Sequence, residues 1–226
     1  MTREGWGRRQ SSRELHRPRG SRQTAKRCLI VCEGSKTEPN YFNGLRKFLR
    51  CSTMEITVAR DLRGTDPASV VREGKERFLR EKADPFDAVF CVFDRDSHAN
   101  YESALSQIKD LRGSKKPFYA IPSNPCFEFW VLLHFELSFR PYLPEGGLSP
   151  CGVVGRELRR HFPEYDKGME TLFERLRSLM PTARDRAERV NRDSEGKGKD
   201  APHTAIPHLL EILQDFFPEE FSRLLH

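Results

Sequence analysis

The sequence predicts an α/β fold: a parallel sheet with helices on both faces, a basic arm before it and a helical region after it. Three observations carry this. Apolar runs of strand length alternate with segments of helical period, the pattern of βαβ units. The two clearest runs, 28–32 and 87–93, are almost unbroken in their apolar character, as in strands buried on both faces. Each is followed by an acidic motif, Glu33-Gly34 and Asp94-Arg95-Asp96, and right-handed crossovers bring the C-terminal ends of such strands to one edge.

The elements follow in order. Residues 28–32, Cys-Leu-Ile-Val-Cys, form a strand ended by Glu33-Gly34-Ser35. Residues 39–50 form a helix, with Pro39 in its first turn and Tyr41, Phe42, Leu45, Phe48 and Leu49 at helical spacing. Residues 54–60 alternate through Met54, Ile56 and Val58 as a second strand. Asp66-Pro67, a cap followed by proline, starts a helix striped with Val70, Val71, Phe78 and Leu79. Residues 87–93 are the third strand, Tyr101–Leu111 a helix, and Lys116–Ile121 a fourth strand stopped by Pro122-Ser123-Asn124-Pro125. The apolar stretch 126–139 reads as a buried helix over its first ten residues, and 140–151 as a Pro/Gly loop. Helices are expected at 152–161, 168–179, 181–192 and 204–216, with a flexible polar loop at 193–201. There is no internal repeat. The expected organisation is a flexible basic arm (1–27), an α/β core (28–139) and a helical extension packed on it (140–226).

The chain has 226 residues, six cysteines and a net charge of +6. Residues 1–27 hold nine basic and two acidic side chains, a net +7, so the rest of the chain carries −1. A basic arm with few apolar residues is expected to be disordered alone and ordered on a polyanion such as nucleic acid, or else to be a solvated tail. No apolar run reaches the roughly 18–20 residues that span a bilayer, and the Arg-rich start lacks a signal's apolar stretch, so no membrane partner is expected. The cysteines show no C-x-x-C spacing and mostly sit in apolar runs. This predicts a reduced cytoplasmic protein without zinc site or disulfide framework. Walker A, H-E-x-x-H and G-x-S-x-G are absent, so ATP hydrolysis, zinc proteolysis and serine hydrolase chemistry find no support.

Asp94 and Asp96 are two residues apart past a buried strand, so in an extended backbone both carboxylates point the same way. Oxygen ligands of this kind suit Mg²⁺, or Mn²⁺. Glu33, on a neighbouring strand end, completes a cluster whose mutual repulsion calls for a cation or a proton. The alternative is that Asp94 or Asp96 caps the helix beginning near Tyr101. Glu128 sits among Phe127, Phe129 and Trp130. It is either an active-site ligand or base, or a partner in an internal salt bridge or helix-cap interaction. Lys36, Arg95 and Asn124 are candidates to meet a substrate phosphate, with surface charge the alternative for the two cations. Arg184, with Arg186, Arg189 and Arg192, and Lys197, with Lys199, either grip a phosphate backbone or form a solvated face. His134 and Trp130 read as core, and His203 and Thr204 as caps of the last long helix.

Strand-Glu-Gly followed about sixty residues later by strand-Asp-x-Asp resembles the Toprim domain of topoisomerases, primases and OLD-type nucleases. The fuller wording is similar to the RloB family: residues 31–42 (Val-Cys-Glu-Gly-Ser-Lys-Thr-Glu-Pro-Asn-Tyr-Phe), 92–96 (Val-Phe-Asp-Arg-Asp), 123–135 (Ser-Asn-Pro-Cys-Phe-Glu-Phe-Trp-Val-Leu-Leu-His-Phe) and 201–210 with its Thr-x-x-x-x-Leu-Leu element. The resemblance implies a Toprim-like fold and a bacterial defence locus, encoded beside an AAA- or ABC-type ATPase. It implies Mg²⁺ on Asp94 and Asp96, with Glu33 as general acid/base or metal ligand. No transesterifying Tyr of the topoisomerase kind is identifiable, which favours hydrolysis by an activated water. The expectation is therefore a Mg²⁺-dependent nuclease acting as an anti-phage effector on RNA, transfer RNA among its targets, or on DNA. A nucleotidyl or phosphoryl transferase with the same site, and a non-catalytic adaptor for nucleic acid or an ATPase, are the alternatives. Homo-oligomerisation is compatible with all three.

Overall fold

The computed structural model describes residues 26–59, 66–95, 100–222 and 224. The first βαβ unit is β1 (Cys28–Cys32), α1 (Thr37–Leu49) and β2 (Met54–Val58). Next come α2 (Pro67–Arg80), β3 (Ala88–Asp94), α3 (Tyr101–Gly113) and β4 (Phe118–Asn124). They are followed by α4 (Phe127–Leu133), α5 (Pro150–His161), α6 (Leu172–Leu176) with a 3₁₀ turn at Arg177–Leu179, and α7 (Met180–Ser194). The described chain closes with β5 (His203–Thr204), α8 (Ile206–Phe216) and α9 (Pro218–Ser222).

The sheet order is β2-β1-β3-β4-β5, parallel except for β5. Alternate residues of each strand face opposite layers. Cys28, Ile30, Cys32, Phe90 and Val92 join the core built with α1 and the helices from α4 onward. Leu29, Val31, Val89, Cys91 and Phe93 join a second core against α2 and α3. Both faces are covered, which is why β1 and β3 have no polar alternation. The first core draws on residues from Cys28 to Leu224, so the described residues from 140 onward share one interior with the α/β core. No helix among the described residues is long and apolar enough to cross a membrane.

Several boundaries differ from the sequence reading, each for a physical reason. β4 runs through Pro122 to Asn124. Pro122 points its carbonyl away from β3, accepting from Ala205 N at 2.8 Å, so the N–H it lacks costs no bond to β3. His203 and Thr204 form β5 against Asn124 and Ser123, and the last long helix therefore starts at Ile206. The Thr204 hydroxyl reaches Ser123 Oγ at 2.9 Å and accepts only a long 3.4 Å bond from Ile206 N. α4 is short: Arg186 Nη1 donates to Leu133 O at 3.0 Å, satisfying a carbonyl at its end. The helix expected at 168–179 is the shorter α6 with its 3₁₀ turn, and α9 was not foreseen. Residues 1–25 of the basic arm lie outside the described residues. Its last two residues are pinned: Lys26 pairs with Asp87 at 2.8 Å, and Arg27 with Glu55 at 2.6 Å and Asp84 at 3.1 Å.

Asp66 caps α2 as its sequence position predicts. It accepts from Ser69 N at 2.7 Å, while Ser69 Oγ accepts from Asp66 N at 3.0 Å, a capping box. Its Oδ2 also accepts from Asn100 Nδ2 at 2.9 Å, tying the start of α2 to that of α3. Asp66→Ala is expected to cost about 1–2 kcal/mol in a urea titration, with unchanged stability refuting the cap.

Candidate active site

The connection β1-α1-β2 winds one way along the sheet, and β3-α3-β4 winds the other. The crevice at such a reversal, beyond the strand C-termini, is where open α/β sheets bind ligands. Here it lies between the ends of β1 and β3, paired in the register Cys32 to Val92. Glu33 continues β1 by donating its N–H to Val92 O at 3.0 Å. Its Oε2 accepts from Asp94 N at 2.9 Å. The two acidic strand ends are therefore in direct contact. Asp94 Oδ1 accepts from Phe127 N at 2.9 Å, at the start of α4. Asp94 thus does not cap α3, whose N-cap is Asn100 without a side-chain cap bond.

Two further carboxylates join them. Glu38, in the first turn of α1 and 5% exposed, accepts from Gly34 N at 3.2 Å. Gly34 is needed for space: a Cβ there would lie 2.7 Å from Glu38 Cδ. Glu128, in the first turn of α4 and 3% exposed, accepts at Oε1 from Tyr165 Oη at 3.1 Å and Thr37 Oγ1 at 3.4 Å. The same oxygen pairs with Lys167 Nζ at 3.1 Å. The loop carrying Tyr165 and Lys167 is held over α1, where Asn40 Nδ2 donates to Gly168 O at 3.1 Å.

The electrostatics follow from crowding. Burial, with repulsion from Glu38, Glu128, the Cys151 thiol and Glu33, raises Asp94 well above the usual carboxylate range. Burial likewise pushes Glu38 up to about 7, Glu128 and Glu33 adding to it against the Gly34 and Glu38 N–H groups. Burial also opposes ionisation of Glu128. There the Lys167 ammonium, with the Cys126 thiol and a backbone N–H, outweighs it and holds the group below its usual range. Glu128 is thus half of a salt bridge, and it borders the carboxylate cluster. Without a cation, the crowding favours the protonated forms of Asp94 and Glu38 over those of free carboxyls. A hard divalent cation among these oxygens would relieve the same repulsion, so the donor set fits Mg²⁺.

The other candidates spread more widely. Asp96 lies outside the described residues. Lys36 is exposed just before α1. Arg95 lies 3.8 Å from Glu102 and 5.0 Å over the Tyr101 ring. Arg95 nevertheless lines a cavity of about 380 Å³ with Asn124, Pro125, Tyr142, Pro150 and Lys199. Asn124 spends its amide on Lys199 O at 3.0 Å and Ala201 O at 2.6 Å, anchoring the 195–201 loop at the cavity's edge. Lys197 pairs with Asp193 at 2.7 Å and lines a neighbouring cavity of about 370 Å³ with Arg95 and His203. Arg184 donates to Gln214 at 3.2 Å. With Arg186 bound to Leu133 O, that part of the arginine run faces neighbouring helices rather than the cluster. His134 is core: burial lowers it to about 4, and Nδ1 lies 3.0 Å from Trp130 O.

Sequence reasoning missed Glu38, Tyr165 and Lys167. Glu38 left one signal, the glycine four residues before it. The other two sit in a loop and left none. No curated protein and no solved structure matches the chain. The family model described as RloB-like protein matches residues 28–213, most of the chain, and the protein belongs to that family.

Proposed function

We propose that the protein is a Mg²⁺-dependent nuclease, a defence effector that hydrolyses phosphodiester bonds in RNA, transfer RNA among its targets, or in DNA. The observation that carries this is the convergence of Glu33, Glu38, Asp94 and Glu128 where the sheet's winding reverses, with the Lys167 ammonium paired to Glu128. Membership of the RloB-like family supports the defence role and the expectation of an ATPase partner encoded nearby.

Asp94, Asp96 and Glu33 are the residues that would hold the cation. Mg²⁺ bound there supplies Lewis-acid polarisation of a phosphate oxygen and charge stabilisation of the leaving oxyanion. Glu33 takes the proton of the attacking water or completes the ligand set. Glu38, poised near 7, exchanges protons at neutral pH, as a general acid or base must. Lys167 keeps Glu128 ionised and, being 61% exposed, offers the substrate phosphate a positive charge.

The purified chain is expected to cut RNA or DNA with Mg²⁺. Glu33→Gln and Asp94→Asn are each expected to lower the rate by on the order of 10²-fold or more. Equal cleavage by all three proteins, or none by any, overturns the reading. Incorporation of labelled nucleotide in place of cleavage would assign the site to transfer chemistry instead.

A further inference from the structure

We propose that Asp94, Cys126 and Cys151 form a second kind of metal site, one that takes a soft divalent ion of the Zn²⁺ class. The site shares Asp94 with the nuclease reading, but its test reads Zn²⁺ content and cysteine ligation, so the two can fail separately. One carboxylate oxygen and the two Sγ atoms lie within 4.8 Å of one another. Asp94 ends β3, Cys126 immediately precedes α4, and Cys151 stands in the first turn of α5. No sequence spacing announces the cluster, because the fold assembles it.

The donor set selects the metal. Two thiolates with one carboxylate match Zn²⁺, whereas Mg²⁺ takes oxygen alone. Zn–S bonds of about 2.3 Å and Zn–O bonds of about 2.0–2.2 Å place tetrahedral ligand atoms about 3.5–3.8 Å apart. A contraction of about 1 Å from the 4.8 Å ceiling therefore suffices. Cys126, 1% exposed, is fixed by packing, while the partly exposed Cys151 has room to move. Three protein ligands leave one coordination position for water or an incoming ligand.

The competing explanation is that these are two small hydrophobes. It serves Cys28, Cys32 and Cys91, which lie within the sheet's two cores, and Cys126 shares the first of those cores. Packing alone does not gather two sulfurs and a carboxylate oxygen within 4.8 Å of one another, in electrostatic range of the Lys167 ammonium. The cavity of about 380 Å³ is lined by Arg95, Pro125 and Pro150, the chain neighbours of Asp94, Cys126 and Cys151 respectively.

The test is metal content, not activity. The full chain, kept reduced by a phosphine, is titrated with Zn²⁺, then separately with Co²⁺ as a spectroscopic probe. One Zn²⁺ per chain is expected, and Co²⁺ should show thiolate-to-metal charge-transfer absorption. Cys151→Ser, at the more exposed ligand, is expected to weaken Zn²⁺ by on the order of 10²-fold, at least the effect of losing an outer-shell partner. Cys51→Ser, at a cysteine outside the cluster, should bind like the parent. Circular dichroism of each variant separates lost binding from lost folding. Absence of bound Zn²⁺ in the parent, unchanged affinity in Cys151→Ser, or Co²⁺ binding without the charge-transfer band would each overturn the site.

Discussion

Gly34→Ala is expected to remove most nuclease activity, on the order of 10²-fold, while leaving a folded protein. The added methyl would occupy the place of the Glu38 carboxylate, with Oε1 only 2.5 Å away. The backbone there is not the obstacle, since Gly34 does not adopt the left-handed region. The carboxylate must swing out, giving up its 3.2 Å bond from Gly34 N and its place beside Asp94 and Glu128. Glu38→Ala gives the control. If Gly34 matters only through Glu38, Gly34→Ala adds nothing to Glu38→Ala, a coupling that a double-mutant cycle measures directly. Full additivity of the two losses would show that Gly34 acts by a route other than Glu38, and a fully active Glu38→Ala would show that Glu38 is not part of the machinery.

That Glu38 needs such a test shows where the sequence is a good guide and where it is not. Glu33 and Asp94 were legible because each follows a strand buried on both faces, and a carboxylate at such an edge has few structural reasons to be there. Glu128 was legible because a charge among Phe127, Phe129 and Trp130 must have a partner. Glu38 looks ordinary: acidic residues are common in first turns, where they meet unpaired N–H groups. Only the tertiary structure shows that it points into the crevice. Lys167 belongs to a loop whose place is set by Asn40 and Thr37 on α1, contacts that no local pattern encodes. The fold divides in the same way. β1, β3 and the Asp66 cap are local statements about burial and hydrogen bonding, and they are read correctly. β5 has two residues and exists because Asn191 and β4 satisfy the backbone of Thr204. The apolar stretch 126–139 signals burial, but burial does not say where a helix stops, and the Arg186 side chain does.

Protons and the divalent cation compete for the same oxygens, so the stability of the protein should depend on both together. Glu38 has an ordinary value of 4.5 and about 7 in the folded chain. Between those values the folded state holds a proton that the unfolded state has released. Stability is then fully present below pH 4.5 and falls as pH rises toward 7, by about 3 kcal/mol if Glu38 acted alone. Asp94, raised in the same direction, adds to the loss. Metal-free protein is thus expected to melt lower at pH 7.5 than at pH 5, with the slope reduced in Glu38→Gln. Mg²⁺ should reverse this. At a concentration of about 100 Kd it adds roughly 2.7 kcal/mol, a rise of roughly 5–10 °C in Tm for a chain of this size. At pH 5 the ion must compete with a proton on Asp94, whose carboxyl is raised well above the usual range, so the same Mg²⁺ concentration adds less. A melting series at both pH values, with and without Mg²⁺, measures the difference directly. An equal Mg²⁺ shift at both would mean that the ion binds elsewhere, and Asp94→Asn should abolish the shift at pH 7.5 if it binds here.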